Sequence, residues 1–296
     1  MNRVTVLGGS GFLGSHVVDA LLEAGKEVTV FDKEPVDYWG GGVEIIQGDL
    51  REVESLNMSM TGAEAVFNFA GLADLETAKT KAVETAEINV LGNAQALESA
   101  RRNDVHKFIY ASSVYVSSRE GGFYRTSKRA AEDYVREFHS QWRLPYVIAR
   151  YGSLYGPRSD DRNGLHRIVR QALETGSVSY VGSLDALREY IHVVDAAKLT
   201  VSLLRTEFAN ESITVTGMQS MRVKDLLEML SEILGLGGQV HFESDPDSAH
   251  YVRTPYAVMS TPSRKVVPNS HVDLGEGLLQ LISNIQSQMK HENHSI

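Results

Sequence analysis

The chain is predicted to form an α/β fold, in which a doubly wound parallel sheet is joined to a smaller C-terminal α/β lobe. In the first half, short apolar runs alternate with longer segments whose apolar residues have helical spacing, which is typical of βαβ units. The first of these runs is followed by a glycine cluster from Gly8 to Gly14. The chain has 296 residues, more than one compact core usually holds, so a large domain and a smaller lobe are expected.

The strands of the first half are predicted from nearly continuous apolar runs, because strands that are covered on both faces lack polar alternation. The first run, RVTVL, is rich in β-branched residues, which favour strands. Gly25 is a stop signal for the first helix. The predicted strands are residues 3–7, 27–31, 43–47, 65–69, 107–112 and 146–150, and the predicted helices are residues 12–23, 82–102 and 124–139.

The second half is less regular. Asp195 is expected to be the N-cap of a helix, because its carboxylate can accept the free N–H groups of the first turn. The last seven residues, KHENHSI, are polar and are expected to be frayed. The predicted helices are residues 165–174, 196–204, 223–234 and 274–288, and the predicted strands are residues 177–181 and 212–215.

The composition excludes several classes of protein. A formal net charge of −9 disfavours nucleic acid or an anionic membrane as the main partner. The absence of cysteine excludes disulfides, thiolate catalysis and Cys-ligated metal centres, and no metal site is predicted. The sequence has no signal-peptide pattern and no long uncharged apolar stretch, so a cytoplasmic protein is expected.

Gly8, Gly11 and Gly14 form a GxxGxxG pattern between the first strand and the first helix. In such a turn the first glycine allows the bend, the second lets a pyrophosphate approach the backbone, and the third lets the helix pack closely on the sheet. The free N–H groups of the helix then face the phosphates. A purely structural turn is the alternative, but the strand–turn–helix context favours a Rossmann-type dinucleotide site.

Asp32 ends the second strand, where an acid that binds the adenosine ribose is expected. A carboxylate accepts hydrogen bonds from ribose hydroxyls and repels a 2′-phosphate, so NAD is favoured over NADP, although Lys33 beside it weakens this argument. The alternative for Asp32 is a residue that caps its own loop. Asp49 follows the third strand and is a candidate to bind the adenine amino group, but a turn aspartate explains it equally well.

Tyr124 and Lys128 are four residues apart at the start of a predicted helix, which places them on one face. A nearby ammonium and a positive nicotinamide ring would lower the pKa of the tyrosine from about 10 and make it a usable base. Ser113, after the fifth strand, could hold a substrate oxygen and share its proton with Tyr124. An exposed pair on a helix surface is the alternative, but the serine and the glycine turn favour a catalytic group.

Several segments, in order and over nearly the whole chain, resemble motifs of the extended short-chain dehydrogenase/reductases. The resemblance is specifically to the NAD-dependent nucleotide-sugar epimerase/dehydratase group. The matching segments are the glycine turn at 8–14, NFAGL at 68–72, EINVLG at 87–92, ASSVY at 111–115, Tyr124 with Lys128, RYGSLYGPR at 150–158, REYIHVVD at 188–195, and residues 210–217 followed by 223–235.

The resemblance implies that NAD is the cofactor. It assigns residues 1–160, with parts of 188–216, to the cofactor domain and residues 161–187 and 217–296 to the substrate-binding lobe. It also implies a homodimer, because family members commonly dimerise through the helices at 82–102 and 124–139. The expected cofactor contacts are Gly8, Gly11, Phe12, Leu13, Gly14, Asp32, Lys33, Asp49, Leu50, Phe69, Ala70, Gly71, Tyr124, Lys128 and Tyr151.

The resemblance also implies a nucleotide-sugar substrate. Arg188 and Arg253 match arginines that clamp its diphosphate, a role that suits the guanidinium fork; the alternatives are a surface residue and a loop residue. Asn89 and Ser113 are expected at the substrate. Ser153 is also expected there, where the family usually has an asparagine.

Departures from the family pattern limit the reactions expected. Val114 lies where family dehydratases and decarboxylases carry acidic residues, and elimination of water needs a positioned acid, so dehydration is disfavoured. Val116 replaces the usual glycine and Arg125 replaces a small residue, so the substrate fit is expected to be atypical. The predicted activity is NAD-dependent 4-epimerisation of a nucleotide sugar. The alternatives are an NAD(P)H-dependent 4-ketoreductase of a nucleotide deoxysugar and a non-catalytic NAD-sensing protein.

Overall fold

The computed structural model describes residues 1–243, 250–255, 263–268 and 270–294. In these ranges the strands form one eight-stranded sheet and three two-stranded sheets. The strands are β1 (Arg3–Leu7), β2 (Glu27–Asp32), β3 (Glu44–Gln47), β4 (Ala65–Asn68), β5 (Lys107–Ser113), β6 (Tyr146–Tyr151), β7 (Ser153–Tyr155), β8 (Val178–Val181), β9 (Leu187–Arg188), β10 (Tyr190–His192), β11 (Glu211–Val215), β12 (Met221–Arg222), β13 (Val240–Glu243) and β14 (Arg264–Val266).

The helices agree with the predicted ones in most positions. A π-helical segment, Glu87–Gly92, lies in the middle of the helix predicted over 82–102, and two short helices, Val53–Ser59 and Leu75–Thr80, were not predicted. The helices are α1 (Phe12–Glu23), α2 (Val53–Ser59), α3 (Leu75–Thr80), α4 (Ala82–Ala86), α5 (Asn93–Arg102), α6 (Gly122–Trp142), α7 (Gly164–Thr175), α8 (Val193–Ser202), α9 (Val223–Ile233) and α10 (Leu274–His294).

The large sheet has the strand order β14-β11-β6-β5-β4-β1-β2-β3, and its described pairings are parallel. The order reverses between β1 and β4, because the chain crosses from the β3 edge to the other side of β1. Ligands of such sheets bind in the crevice outside the carboxyl ends of the strands at this reversal. The predicted doubly wound α/β fold is confirmed.

Helices cover both faces of this sheet. Apolar residues of α1 and α8, including Val17 and Ala196, pack on one face. Residues of α2, α5 and α6, including Leu56, Leu97 and Val135, pack on the other. Every residue of β4 and of β5 is therefore buried, which explains why these strands have no polar alternation.

The C-terminal lobe has its own core, in which Val169 of α7, Leu227 of α9 and Leu281 of α10 are fully or nearly fully buried. The predicted division of the chain into two domains stays a prediction, and one strand does not follow it. Residues 264–266 form β14 at the edge of the large sheet, although they fall in the range 217–296 that was assigned to the lobe. Pairing with β14 satisfies the backbone groups that β11 would otherwise expose.

Two predictions about helix ends were wrong. Helix α8 begins at Val193 with His192 as its N-cap, and the Asp195 carboxylate instead accepts a hydrogen bond from Val272 N at 2.9 Å. Helix α10 continues to His294, beyond its predicted end at residue 288, and Glu292 near its end is 2.7 Å from Arg170. None of the described helices is long and apolar enough to span a membrane.

Candidate active site

A cavity of about 1410 Å³ lies along the carboxyl ends of the central strands and extends into the lobe. At one end it is bounded by the glycine turn and by the end of β2. Its middle lies between the ends of β4 and β5 and the start of α6, and its far end is lined by α7, β8 and β9. The cavity therefore occupies the crevice that the strand reversal predicts.

The glycine turn has the close packing that the motif predicts. Gly8 has a φ of +73°, and a Cβ on it would lie 2.6 Å from Ala70 N. A Cβ on Gly14 would lie 2.1 Å from the Gly8 oxygen, so neither position accepts a side chain. Gly11 is the N-cap of α1, and no side chain of the described residues caps it. The first N–H groups of α1 thus remain available to phosphate oxygens, and the turn fits a dinucleotide.

Asp32 supports the turn as well as its own loop. One carboxylate oxygen accepts from Ser10 N at 3.0 Å and the other from Glu34 N at 3.1 Å, while the residue faces the cavity. The ribose-binding and loop-capping interpretations of Asp32 are therefore compatible. Lys33 is largely exposed, and its ammonium is 3.9 Å from the Asp49 carboxylate.

Asp49 lines the cavity but is engaged by its own turn. Arg51 donates to both of its oxygens at 2.9 and 2.7 Å. These hydrogen bonds are the main reason that the pKa of Asp49 is lowered to about 2. Asp49 therefore has the turn role that the sequence left open. An adenine amino group would have to share the Asp49 carboxylate with Arg51.

Ser113, Tyr124 and Lys128 come together in the middle of the cavity. Strand β5 ends at Ser113, and the first two turns of α6 carry Tyr124 and Lys128. All three residues are buried and line the cavity. The Ser113 hydroxyl lies close enough to the Tyr124 phenol to influence its pKa. Lys128 Nζ donates to Ala111 O at 2.9 Å and lies 6.0 Å from the centre of the Tyr124 ring.

The electrostatics of this group differ from the prediction in one respect. Burial raises the pKa of the Tyr124 phenol, and only the neighbouring Ser113 hydroxyl opposes the rise. Burial also lowers the pKa of Lys128 to about 8, against the influence of Glu132. The chain by itself therefore holds Tyr124 as a neutral phenol, and Lys128 does not produce the lowering of the tyrosine pKa that the spacing suggested.

Glu132, one turn beyond Lys128, was missed from the sequence. Its carboxylate is 2% exposed and accepts hydrogen bonds from Ser112 Oγ at 2.7 Å, from Arg150 at 2.8 and 2.7 Å, and from Arg136 at 2.7 Å. This network ties α6 to β5 and β6 directly behind Lys128. The available signal was its i+4 spacing from Lys128, which places a charged residue on the buried face of the helix.

Asn89 does not line the cavity, among the residues that the structure describes. Its amide nitrogen donates to Leu72 O and to Ser127 Oγ, both at 2.9 Å, and its amide oxygen accepts from Leu72 N at 2.7 Å. The predicted substrate residue thus connects the loop after β4 to α6. It positions the cavity wall instead of facing into it.

Of the two arginines predicted to bind a diphosphate, only Arg188 lies in the described cavity lining. Arg188 lines the cavity at 7% exposure, and its guanidinium is 4.1 Å from the centre of the Tyr251 ring. No carboxylate of the described residues forms an ion pair with it; the guanidinium donates to the carbonyl oxygen of Leu187 at 2.9 Å. Ser153 also lines the cavity, whereas Arg253 is exposed and lies outside the described lining.

The remaining predicted cofactor contacts lie along the same cavity. Tyr151 is buried there, with its hydroxyl 2.7 Å from Thr200 Oγ1. The others that line the cavity are Phe12, Leu13, Leu50, Phe69, Ala70 and Gly71.

Tyr115 and His250 form a further pair that the sequence did not single out. The Tyr115 hydroxyl is 2.8 Å from His250 Nδ1, and both side chains line the cavity. The rings of Tyr115 and Tyr124 lie edge to face with centres 6.2 Å apart. This pair thus forms the wall next to the candidate base. It could not be predicted because the two residues are 135 positions apart.

A glycine turn at a strand reversal, an acid that ends β2, and a buried serine–tyrosine–lysine group in one cavity define an NAD-dependent enzyme of the extended short-chain dehydrogenase/reductase type. The chain belongs to the NAD dependent epimerase/dehydratase family, whose sequence profile matches residues 4–216. The family resemblance, the enzyme class and the NAD cofactor predicted from the sequence are confirmed.

Three similar proteins are distant in sequence but match this chain over almost their full length. A putative UDP-glucose 4-epimerase of Methanocaldococcus jannaschii is 24% identical, over 95% of this chain and 97% of its own. The UDP-glucose 4-epimerase of Thermotoga maritima, solved with UDP-glucose, has a TM-score of 0.83 at 23% identity, covering 97% and 99% of the two chains. The Thermus thermophilus UDP-glucose 4-epimerase complex with NAD has a TM-score of 0.81 at 25% identity, covering 96% and 99%.

Proposed function

We propose that the protein is an NAD-dependent 4-epimerase of a nucleotide sugar. The observation that carries the proposal is a single cavity that joins the glycine turn, the Ser113–Tyr124–Lys128 group and Arg188. Its volume of about 1410 Å³ exceeds that of an ordinary site for one small molecule, roughly 300–1,000 Å³, and suits a dinucleotide together with a second nucleotide. The names of the relatives make UDP-glucose the first substrate to test.

Tyr124 is the proposed acid and base. Its phenolate would take the proton of the sugar 4-hydroxyl and would later return a proton to the same oxygen. The Ser113 hydroxyl would hold that oxygen, and Lys128, fixed by Ala111 O, would hold the ribose. Because Lys128 alone does not lower the pKa of Tyr124, the phenolate would form only where a positive nicotinamide ring lies beside the phenol. Bound NAD supplies a hydride acceptor and then a hydride donor, so that the complete reaction consumes no cofactor.

Arg188 supports an anionic substrate. A buried guanidinium without a carboxylate partner is costly, and a diphosphate offers it the paired oxygens that its planar fork fits. Val114 and Tyr115, which directly follow Ser113, carry no carboxyl group, and this favours epimerisation over dehydration.

The test is interconversion of UDP-glucose and UDP-galactose by the purified holoenzyme, followed by anion-exchange chromatography without added NADH. We expect both directions to proceed. Tyr124→Phe should lower the rate by about two to four orders of magnitude, which is the usual contribution of a general acid–base, while NAD remains bound. Tyr134→Phe is the matched control, because that tyrosine is exposed on the same helix.

The outcome distinguishes the three candidate functions. Stoichiometric consumption of NADH or NADPH with a keto-sugar nucleotide would replace the epimerase proposal with the ketoreductase. A protein that binds NAD but transfers no hydride with any member of a panel of nucleotide sugars would be a sensor.

A further inference from the structure

Arg158 stands at the side of the cavity next to the glycine turn. Its Nη1 donates to the Asp19 carboxylate on α1 at 2.7 Å, and its guanidinium lies 4.5 Å from the centre of the Tyr38 ring. Trp39 Nε1 donates to the other Asp19 oxygen at 2.8 Å. Asp19, Tyr38, Trp39 and Arg158 are called the Arg158 cluster below. The cluster joins α1, the loop after β2 and the segment after β7.

The backbone of Arg158 is held from the C-terminal lobe. Its N–H donates to Asn284 Oδ1 on α10 at 3.2 Å, and its φ is +60°. A non-glycine residue pays a cost for this left-handed conformation, which persists only where neighbouring contacts fix it. The position of the guanidinium is thus tied to the lobe as well as to α1.

The loop that carries Tyr38 is fixed over the glycine turn. Val36 N donates to Ser10 Oγ at 2.9 Å, and Ser10 N donates to Asp32. Val36, Tyr38 and Arg158 line the same end of the cavity as Ser10 and Asp32. The cluster therefore lies beside the groups that receive the adenosine and diphosphate half of NAD.

The contacts of the cluster contribute little to the core. Tyr38 is 41% exposed, and the side chains of Arg158 and Asp19 are 26% and 33% exposed. Partly exposed ion pairs add little to folding stability. A cation held over an aromatic ring at the rim of a phosphate site is better explained by what it does to an anionic ligand.

We propose that the Arg158 cluster retains NAD by covering its adenosine diphosphate half, so that NAD leaves only after the contact between Arg158 and Asp19 opens. The proposal rests on NAD binding and deepens the proposed epimerase function. An enzyme that returns its hydride to the same substrate never needs to exchange its cofactor, whereas a ketoreductase must exchange it at every turnover.

The experiment measures NAD release without any sugar. Holoenzyme is loaded with radiolabelled NAD, an excess of unlabelled NAD is added, and the label that stays bound is counted over time. We expect Arg158→Ala and Tyr38→Ala each to release NAD about tenfold faster, as loss of a partly desolvated cation–π or charge contact implies. Arg170→Ala is the matched control, because Arg170 is likewise an ion-paired arginine, bound to Glu174 and Glu292, but lies outside the described cavity lining.

Release at the wild-type rate from both variants, with unchanged circular dichroism, would overturn the proposal. If Arg158→Ala does not fold, Tyr38→Ala decides alone, because this exposed ring contributes little to the core. Faster release in the variants of a protein that epimerises no nucleotide sugar would refute the proposed function and leave the retention role standing.

Discussion

At the residue scale, the hydrogen-bond partners of a buried polar side chain determine its orientation. Ser113, Tyr124 and Lys128 were found from spacing because a helix and a strand end impose fixed geometry on near neighbours. Asn89 was assigned to the substrate by motif alone, and the structure shows its amide bonded to Leu72 and Ser127. A motif fixes a position in the chain, but long-range contacts decide which way its side chain points.

Glu132 carries the first prediction at this scale. Glu132→Gln removes the charge that compensates buried Arg150, and loss of one member of a buried ion pair costs about 3–5 kcal/mol. The free energy of unfolding from urea denaturation should fall by this amount. Asp133→Asn is the control, because Asp133 pairs with Arg136 at the surface and should cost less than about 1 kcal/mol. Equal effects of the two substitutions would contradict the role given to Glu132.

At the element scale, the π-helical segment Glu87–Gly92 is the feature that local patterns could not predict. Helical spacing over 82–102 predicts helix, and helix is present at both ends of that range. The wider turn places Asn89 against the loop after β4, a tertiary contact, and π segments are frequent at functional sites. Helix propensity holds no information about such a contact.

Asn89→Ala tests the importance of this segment. The substitution leaves Leu72 N and O without their partner, at a cost of about 1–3 kcal/mol in stability. Because Leu72 lines the cavity, NAD should also bind more weakly in a fluorescence titration. Asn103→Ala, which removes a single bond to Ser99 O at the end of α5, is the control and should leave NAD affinity unchanged. An unaltered affinity in Asn89→Ala would show that the loop is positioned by other contacts.

At the scale of the whole molecule, the alternation of apolar runs with segments of helical spacing predicts the βαβ units and the parallel sheet. The placement of β14 could not be predicted in this way. Nothing local in residues 264–266 indicates that they return to the sheet, since strand partners are chosen by open edges elsewhere in the chain.

Histidines make the stability of the whole chain depend on pH. Burial lowers the pKa of His192 from 6.5 to about 4, and it also lowers the pKa of His16, His166 and His250. Between pH 6.5 and about 4 the unfolded chain therefore binds more protons than the folded chain does. The free energy of unfolding falls as the pH drops through this range. The contribution of His192 is on the order of 3 kcal/mol.

Urea denaturation at several pH values in this window tests the point. His192→Leu should flatten part of the pH dependence, since the buried ring is replaced by a group that binds no proton. His241→Gln, at an exposed position, should leave the curve unchanged. A pH profile that stays as steep in His192→Leu as in the wild type would disprove the assignment to His192.

The homodimer remains a prediction. The adjacent helical segments named for it expose large apolar side chains, including Leu91 at 52% and Tyr134 at 46%. Light scattering after size exclusion should give twice the chain mass, and Leu91→Glu combined with Tyr134→Glu should give a monomer. Leu279→Glu, at an exposed site on α10, should leave the mass unchanged. A monomeric wild type would remove the prediction.

The return of β14 to the large sheet limits how the protein can be re-engineered. The chain enters the lobe after β7 and again after β11. It returns to the large sheet at Arg264–Val266 before it forms α10. A chimera that exchanges the C-terminal lobe with a relative's must therefore keep β14 matched to its own β11. Cutting at residue 217 would separate the edge strand from the sheet that it completes, and the cofactor half would be left with an open, aggregation-prone edge.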